Sequence, residues 1–376
     1  MLSFSSIFVH HRSRRKVILL DTLSIPLTLI MHNKNNRSGI YVGIDIASGN
    51  NVYWDISKSF SPHVLVIGPT GSGKTLTLAA IANRLKNHYA GCTIFMDVKN
   101  EYVDILTLYN YKDIFVLDPI KTPLPLCFCH DDKHQKLESV NIVVDVLAKV
   151  FSLHPTKQRV LQNILLEACV KCSDVNDSLA IGDEILLDRN VDEALQTVMK
   201  LFNVYLDANE HPLAIQDSEK AYVINLKSLF LRNKADSATV ILYTTRFILE
   251  KLGYSLITTP KIVMVIDELW HALPYLAEDF IMILTRYSRS FGLSILMATQ
   301  GVDDLYPYSD TIVNSCGGLI SMASSSIAYW QRLRRYLNLS NKSIEKALTL
   351  CNQGEAVARF SPQNVPLFLY IDPLER

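Results

Sequence analysis

The chain has 376 residues, of which 49% are hydrophobic and 20% charged, an ordinary globular usage that excludes a disordered or fibrous protein. Lys and Arg number 37 against 37 Asp and Glu, so the formal net charge is +0 and any contact with nucleic acid must be local rather than global. Seven cysteines, an odd number without regular spacing, fit a reducing compartment better than a disulfide framework.

Residues 1–39 read as an N-terminal extension. His10-His11-Arg12-Ser13-Arg14-Arg15-Lys16 precede a mostly apolar stretch over 17–31, which is too short to span a bilayer and carries Asp21 and Pro26. A strand or interfacial segment is expected there, and no convincing transmembrane helix is read anywhere in the chain.

From Ile40 the pattern alternates between strands and helices. Strands are predicted over 41–46, 64–67, 93–97 and 114–117. Between 133 and 211 the apolar period becomes helical: Val140, Val143, Val144, Leu147, Val150 and Phe151 share one face, and helical patterns follow over 160–170 and 191–205. The earlier pattern resumes with a strand over 221–226 and a helix over 237–252. Further strands are predicted over 262–266, 293–298, 319–322, 355–359 and 367–371. The expected fold class is α/β, with a mostly parallel sheet in a nucleotide-binding core (40–132 and 212–376) and an inserted all-helical subdomain (133–211).

Three stretches carry chemistry. Gly68-Pro69-Thr70-Gly71-Ser72-Gly73-Lys74-Thr75 fits G-x-x-x-x-G-K-[ST] between a β-branched strand and an apolar-periodic helix, the setting the motif requires. Its glycines let backbone N–H groups face phosphate oxygens, and the helix N-terminus adds to the anion site. Lys74 is expected on the β- and γ-phosphates of ATP, and the Thr75 hydroxyl is expected to ligate Mg²⁺. The second stretch, KIVMVIDELW over 261–270, is an apolar strand ending in two acids at the edge where open α/β sheets bind ligands. Asp267 suits a Mg²⁺ site, and Glu268 suits the orientation of an attacking water. The third, RYSRSFGLSILMATQ over 286–300, delivers Thr299-Gln300 beside that acidic edge, where Gln300 can report on the γ-phosphate.

Two weaker groupings remain open. Cys127, Cys129, His130 and His134 with Cys169 and Cys172 admit a zinc site. The CxxC pair lies about one turn apart in a helical pattern, which favours simple packing. Arg332, Arg334 and Arg335, with Lys342 and Lys346, form the densest basic stretch of the C-terminal part, either a phosphate track or a solvated helix face.

GPTGSGKT, then Asp97-Val98-Lys99-Asn100-Glu101-Tyr102, then VIDELW and ATQ, in this order and around a helical insertion, resemble the HerA/FtsK superfamily of DNA-pumping P-loop ATPases. Trp270 after the acidic pair, and Thr299-Gln300 followed by Asp303, are most similar to conjugative type IV secretion ATPases of the VirB and TraC type. The resemblance spans about 40–376 and implies a RecA-like core, ATP hydrolysis with Mg²⁺, a hexameric ring and movement of DNA. It implies a cytoplasmic location, free or peripheral at the inner face of the membrane within a transfer complex. It also implies a trans-acting arginine near the subunit boundary, which falls on Arg289 with Arg286 as the alternative. The large N-terminal domain usual in secretion ATPases finds no room before Ile40. A protein-remodelling or secretion-assembly ATPase and a viral genome-packaging ATPase stay open as alternatives, while Glu268 and Gln300 disfavour a small-molecule kinase.

Overall fold

The computed structural model describes residues 39–89, 91–109, 111, 113–126, 133–171, 189–203, 220–252, 261–287 and 291–373. Its strands are β1 (Ile40–Asp45), β2 (Asn51–Trp54), β3 (Val64–Ile67), β4 (Cys92–Asp97), β5 (Asp113–Leu117), β6 (Leu124–Pro125), β7 (Phe202–Asn203), β8 (Lys220–Asn225), β9 (Ile262–Ile266), β10 (Leu293–Thr299), β11 (Gly318–Met322), β12 (Glu355–Phe360) and β13 (Leu367–Tyr370). Among the described residues, β6 and β7 form a two-stranded ladder and the others a sheet of order β2-β1-β13-β12-β11-β3-β10-β9-β4-β8-β5.

From β11 to β5 the strands run parallel. Parallel strands covered on both faces read as near-continuous apolar runs, and β3, β4, β9 and β10 are buried throughout. Alternate residues supply two cores. Val64, Val66, Phe95, Val263, Val265, Leu296 and Ala298 face the helix Lys74–Tyr89, whose Leu78, Ile81, Ala82 and Leu85 recur at helical spacing.

On the opposite face, Leu65, Ile67, Ile94, Met96, Met264 and Ile266 join one hydrophobic cluster with the helices between β6 and β8. Those helices are Lys133–Val150, Pro155–Lys171 and Arg189–Leu201. Val140, Val143, Leu147, Leu161, Leu165, Leu195 and Val198 are their buried contributions. Each such side chain adds about 1.5–3 kcal/mol on burial. The helices Lys234–Leu252 and Leu273–Met282 complete that layer, and ion pairs fasten it: Arg246 Nη2 lies 2.9 Å from Asp145 Oδ2, and Lys149 contacts both Asp145 and Asp279.

The sheet is thus mostly parallel, as expected, and its other end is antiparallel. β12, β13, β1 and β2 are antiparallel, and β2 is a strand that the sequence pattern did not predict. Asn51–Trp54 is largely exposed at the sheet edge, so it carries no apolar run; Trp54 secures it by packing on Phe360 and donating Nε1–H to the Ser361 carbonyl at 3.0 Å. The predicted helical run over 191–205 is also shorter, because it ends at Leu201 and the next two residues pair with β6. Among the described residues no helix is long and apolar enough to cross a membrane.

Candidate functional site

Strand register builds the site. Thr299 is level with Ile67, and both Met297 and Met96 are level with Ile266. The chain therefore leaves β3, β10, β9 and β4 at one carboxyl edge, which brings together Gly68, Gln300, Asp267 and the loop after Asp97. Gly68 N–H also donates to the Thr299 carbonyl at 3.2 Å, joining the phosphate loop to the strand that bears Gln300.

The loop from Gly68 to Gly73 turns back under its own helix. Gly71 and Gly73 have φ of 82° and 100°, a left-handed backbone that L side chains resist. The helix starts at Lys74, so its first-turn N–H groups have no intrahelical acceptor and remain for an anion. Lys74 is buried and donates to the carbonyls of Gly68 at 2.7 Å and Pro69 at 3.1 Å. Burial lowers its pKa, against the opposing pull of Glu268 and Asp267. Above this loop sits the 351–354 segment: Gly354 N–H donates to Ser72 O at 3.4 Å, and the Gln353 side chain borders Gly73. From the other side, Tyr329 donates its hydroxyl to the Ile67 carbonyl at 3.0 Å.

Across the edge, Thr75 Oγ1 donates to Asp267 Oδ2 at 2.9 Å. Asp267 is 1% exposed, and its Oδ1 accepts from the Glu268 N–H at 2.9 Å. Glu268 has φ 54°, a strained left-handed conformation for a residue with a side chain. The His271 imidazole holds that turn by donating to the Glu268 carbonyl, and burial pushes the imidazole down to about 4. Trp270 Nε1–H donates to Glu268 Oε2 at 2.7 Å, and Lys99 Nζ lies 2.8 Å from Oε1. Burial by itself raises the Glu268 carboxyl, but hydrogen bonds from Lys99 and Trp270, with the charges of Lys99 and Lys74, outweigh it and hold the group below its usual value.

The residues fit the ligands that the motif implies. A hydroxyl and a carboxylate meeting at one point are hard oxygen donors suited to Mg²⁺, and a lysine in a glycine loop at a helix N-terminus suits a polyphosphate. Gly68, Pro69, Thr70, Gly71, Ser72, Gly73, Lys74, Thr75, Asp267, Glu268 and Gln300 all come to this edge. Gln300 is exposed, directly after the β10 residue Thr299, whose hydroxyl donates to Asp304 Oδ2 at 2.9 Å. Arg289, Cys127, Cys129, His130, Cys172 and the N-terminal stretch over 10–31 lie outside the described residues.

The Asp97–Tyr102 segment stands out in the sequence without a role for its residues, and an ion-paired turn is as compatible with it as a site. Lys99 meets the acidic pair because β4 lies beside β9. Asp97 caps its own loop: Oδ1 accepts from the N–H groups of Lys99, Asn100 and Glu101, and Oδ2 from Tyr102. An aspartate directly after a strand and before Lys-Asn-Glu-Tyr is a signal for such a turn. The basic stretch is partly self-neutralised, because Arg332 pairs with Asp303 and Arg335 with Asp310, each at 2.6 Å. These arginines line a cleft of about 790 Å³ with Tyr306 and Tyr336.

A phosphate loop facing an acidic strand end across a parallel sheet defines the P-loop NTPase class. Residues 40–259 match the family described as Helicase HerA, central domain, and the chain belongs to that family. The DNA import protein CedB of Sulfolobus acidocaldarius is 27% identical over 349 residues, a match covering 90% of this chain and 57% of CedB. The chain thus spans little more than half the length of that relative. Among solved structures, VirB4 of Thermoanaerobacter pseudethanolicus superposes with TM-score 0.64 at 16% identity, over 90% of this chain and 97% of the other. The plasmid coupling protein TrwB in complex with ADP and Mg²⁺ gives 0.58 at 14% identity, over 91% of each. At such identities these likenesses establish the fold, a RecA-like P-loop core like that of conjugation ATPases.

Proposed function

We propose that this chain is a Mg²⁺-dependent ATPase that works as a DNA-translocating motor. The observation that carries the reading is the meeting of Thr75 and Asp267 at 2.9 Å with Glu268 beside them, because a glycine loop, a hydroxyl–carboxylate pair and a second carboxylate then share one sheet edge, which supports roles in holding phosphate, Mg²⁺ and water. In this reading the glycine-loop amides and Lys74 bind the triphosphate of ATP and take up the charge that develops on the γ-phosphoryl oxygens. Thr75 and Asp267 hold Mg²⁺, which when bound neutralises phosphate charge. Glu268 orients a water and accepts its proton as the water oxygen bonds to the γ-phosphorus and the β–γ bridging bond breaks. Gln300, at the end of the neighbouring strand, hydrogen-bonds the γ-phosphate and reports its loss.

CedB is a DNA import protein, VirB4 and TrwB share the fold, and these likenesses support DNA as the moved substrate. The same reading includes a hexameric ring in which Arg289 of one subunit completes the site of the next, and a place at the inner face of a membrane. The helices Lys133–Val150, Pro155–Lys171 and Arg189–Leu201 act as an insertion on the motor core.

A second reading, a remodelling motor that moves protein, is favoured by the Arg332–Asp303 and Arg335–Asp310 pairs, which engage two of the five cations of that basic stretch with carboxylates rather than leaving them for a phosphate backbone. ATP turnover measured with and without duplex or single-stranded DNA separates the two. Stimulation by DNA supports the DNA motor, and turnover indifferent to DNA supports the protein motor.

A further inference from the structure

Lys99 belongs neither to the phosphate loop nor to the acidic strand end, yet its ammonium reaches both acids, at 2.8 Å from Glu268 Oε1 and 3.5 Å from Asp267 Oδ2. The backbone beneath it is fixed. Asp97, 1% exposed, accepts the four successive N–H groups from Lys99 to Tyr102. Asn100 completes the turn at φ 64° and its side-chain carbonyl accepts from Asn225 Nδ2 at 3.3 Å. The side chain of Lys99 is freer. It is 35% exposed on a flexible four-carbon stem, so it is the part of this loop that can move without disturbing the rest.

What it touches is already committed elsewhere. Glu268 has Oε1 taken by Lys99 and Oε2 taken by Trp270 at 2.7 Å, so neither oxygen is without a donor. Asp267 Oδ2 is shared between Lys99 and the Thr75 hydroxyl, the two-oxygen group that fits a divalent cation. A monovalent ammonium and a divalent ion beside the same carboxylate repel each other, more strongly in a half-buried site than in water. Of the two, the divalent ion arriving with a polyphosphate brings its own counter-charge, whereas Lys99 has an open route to solvent.

We propose that Lys99 is a positioning residue that locks the acidic edge: with no nucleotide bound it restrains Glu268 and neutralises Asp267, and Mg²⁺ arriving with the triphosphate displaces its ammonium and frees Glu268 Oε1 for water. The inference rests on the hydrolytic reading above. Its consequence is order. A subunit without nucleotide keeps its carboxylate engaged, and the carboxylate becomes available only when substrate and metal are both in place.

Trp270 gives a reporter, since its indole N–H bonds the same carboxylate. The test compares the wild-type full chain with Lys99→Met, which keeps length and removes charge, and with Lys99→Arg, which keeps charge; Trp270→Phe assigns the fluorescence signal. MgATP is expected to change the Trp270 emission of wild type. Lys99→Met is expected to show part of that change before nucleotide is added, and at fixed ATP to need several-fold less Mg²⁺ for half of the full change. Lys99→Arg is expected to restore wild-type behaviour on both readouts. Emission without nucleotide and Mg²⁺ dependence that match wild type in Lys99→Met overturn the lock, as does a variant that needs more Mg²⁺. A wild-type chain that binds MgATP but releases no phosphate sinks the hydrolytic reading alone, and the Lys99→Met comparison still supports or overturns the lock. A chain that binds no MgATP overturns both.

Discussion

Thr75 and Asp267 stand 192 positions apart in sequence and share a hydrogen bond of 2.9 Å. One begins a helix and the other ends a strand, and the strand order β3-β10-β9 makes them neighbours. Both present hard oxygen atoms at one point of the carboxyl edge, which gives the pair its meaning as a cation site. Thr75→Val keeps the shape and removes the hydroxyl. The Mg²⁺ concentration needed for nucleotide binding is expected to rise on the order of tenfold, equivalent to about 1.4 kcal/mol, with little change in fold stability. Mg²⁺ dependence of binding of a fluorescent ATP analogue measures this, and an unchanged requirement removes Thr75 from the site.

Lys74 caps two carbonyls of its own loop, at 2.7 and 3.1 Å, and is buried in doing so. Lys74→Ala therefore leaves the strand and helix intact but takes away the charge that meets the γ-phosphoryl oxygens. Turnover is expected to fall by a factor of about 10²–10³, in line with about 3–4 kcal/mol of transition-state stabilisation. A steady-state phosphate-release assay, with circular dichroism to confirm folding, checks it. Wild-type turnover in the folded variant contradicts the role.

His63 lies fully buried just before β3, where its Nδ1 accepts the Ile295 N–H at 2.9 Å, and burial pushes its pKa down to about 3. The unfolded chain protonates this residue near 6.5, so below that pH the unfolded state binds the extra proton and the folded state does not. Stability should thus fall as pH drops from about 6.5 towards about 3, by up to about 1.4 kcal/mol per pH unit from this residue. Denaturant midpoints at pH 7, 6 and 5 read the slope. His63→Gln keeps an acceptor and does not titrate, so its slope should be shallower; an equal slope assigns the acid sensitivity elsewhere.

The parallel part of this fold was legible because each of its strands is a short, mostly apolar run, and the phosphate loop because glycine spacing and its flanking strand and helix are local. Asp267 and Glu268 were legible as the polar end of such a run. What was not legible depends on partners far away in sequence. β2 is held by Trp54 against Phe360 and Ser361, and nothing local to Asn51–Trp54 announces a strand. The Lys99–Glu268 contact follows from β4 pairing with β9, a sheet order that composition and periodicity do not specify. The basic stretch read as a candidate phosphate track because Asp303 and Asp310, which meet Arg332 and Arg335, come from a different turn and helix.

Glu268 is the residue proposed to make water attack bound ATP. Glu268→Gln retains an oxygen to accept from Trp270 Nε1, now at 2.7 Å, while removing the group that takes the proton. Nucleotide binding and phosphate release should be measured on the same preparation, with wild type alongside. The variant is expected to bind MgATP and keep it uncleaved, with phosphate release slowed by about 10²–10⁴-fold. Release at the wild-type rate from a variant that binds MgATP normally would contradict this role.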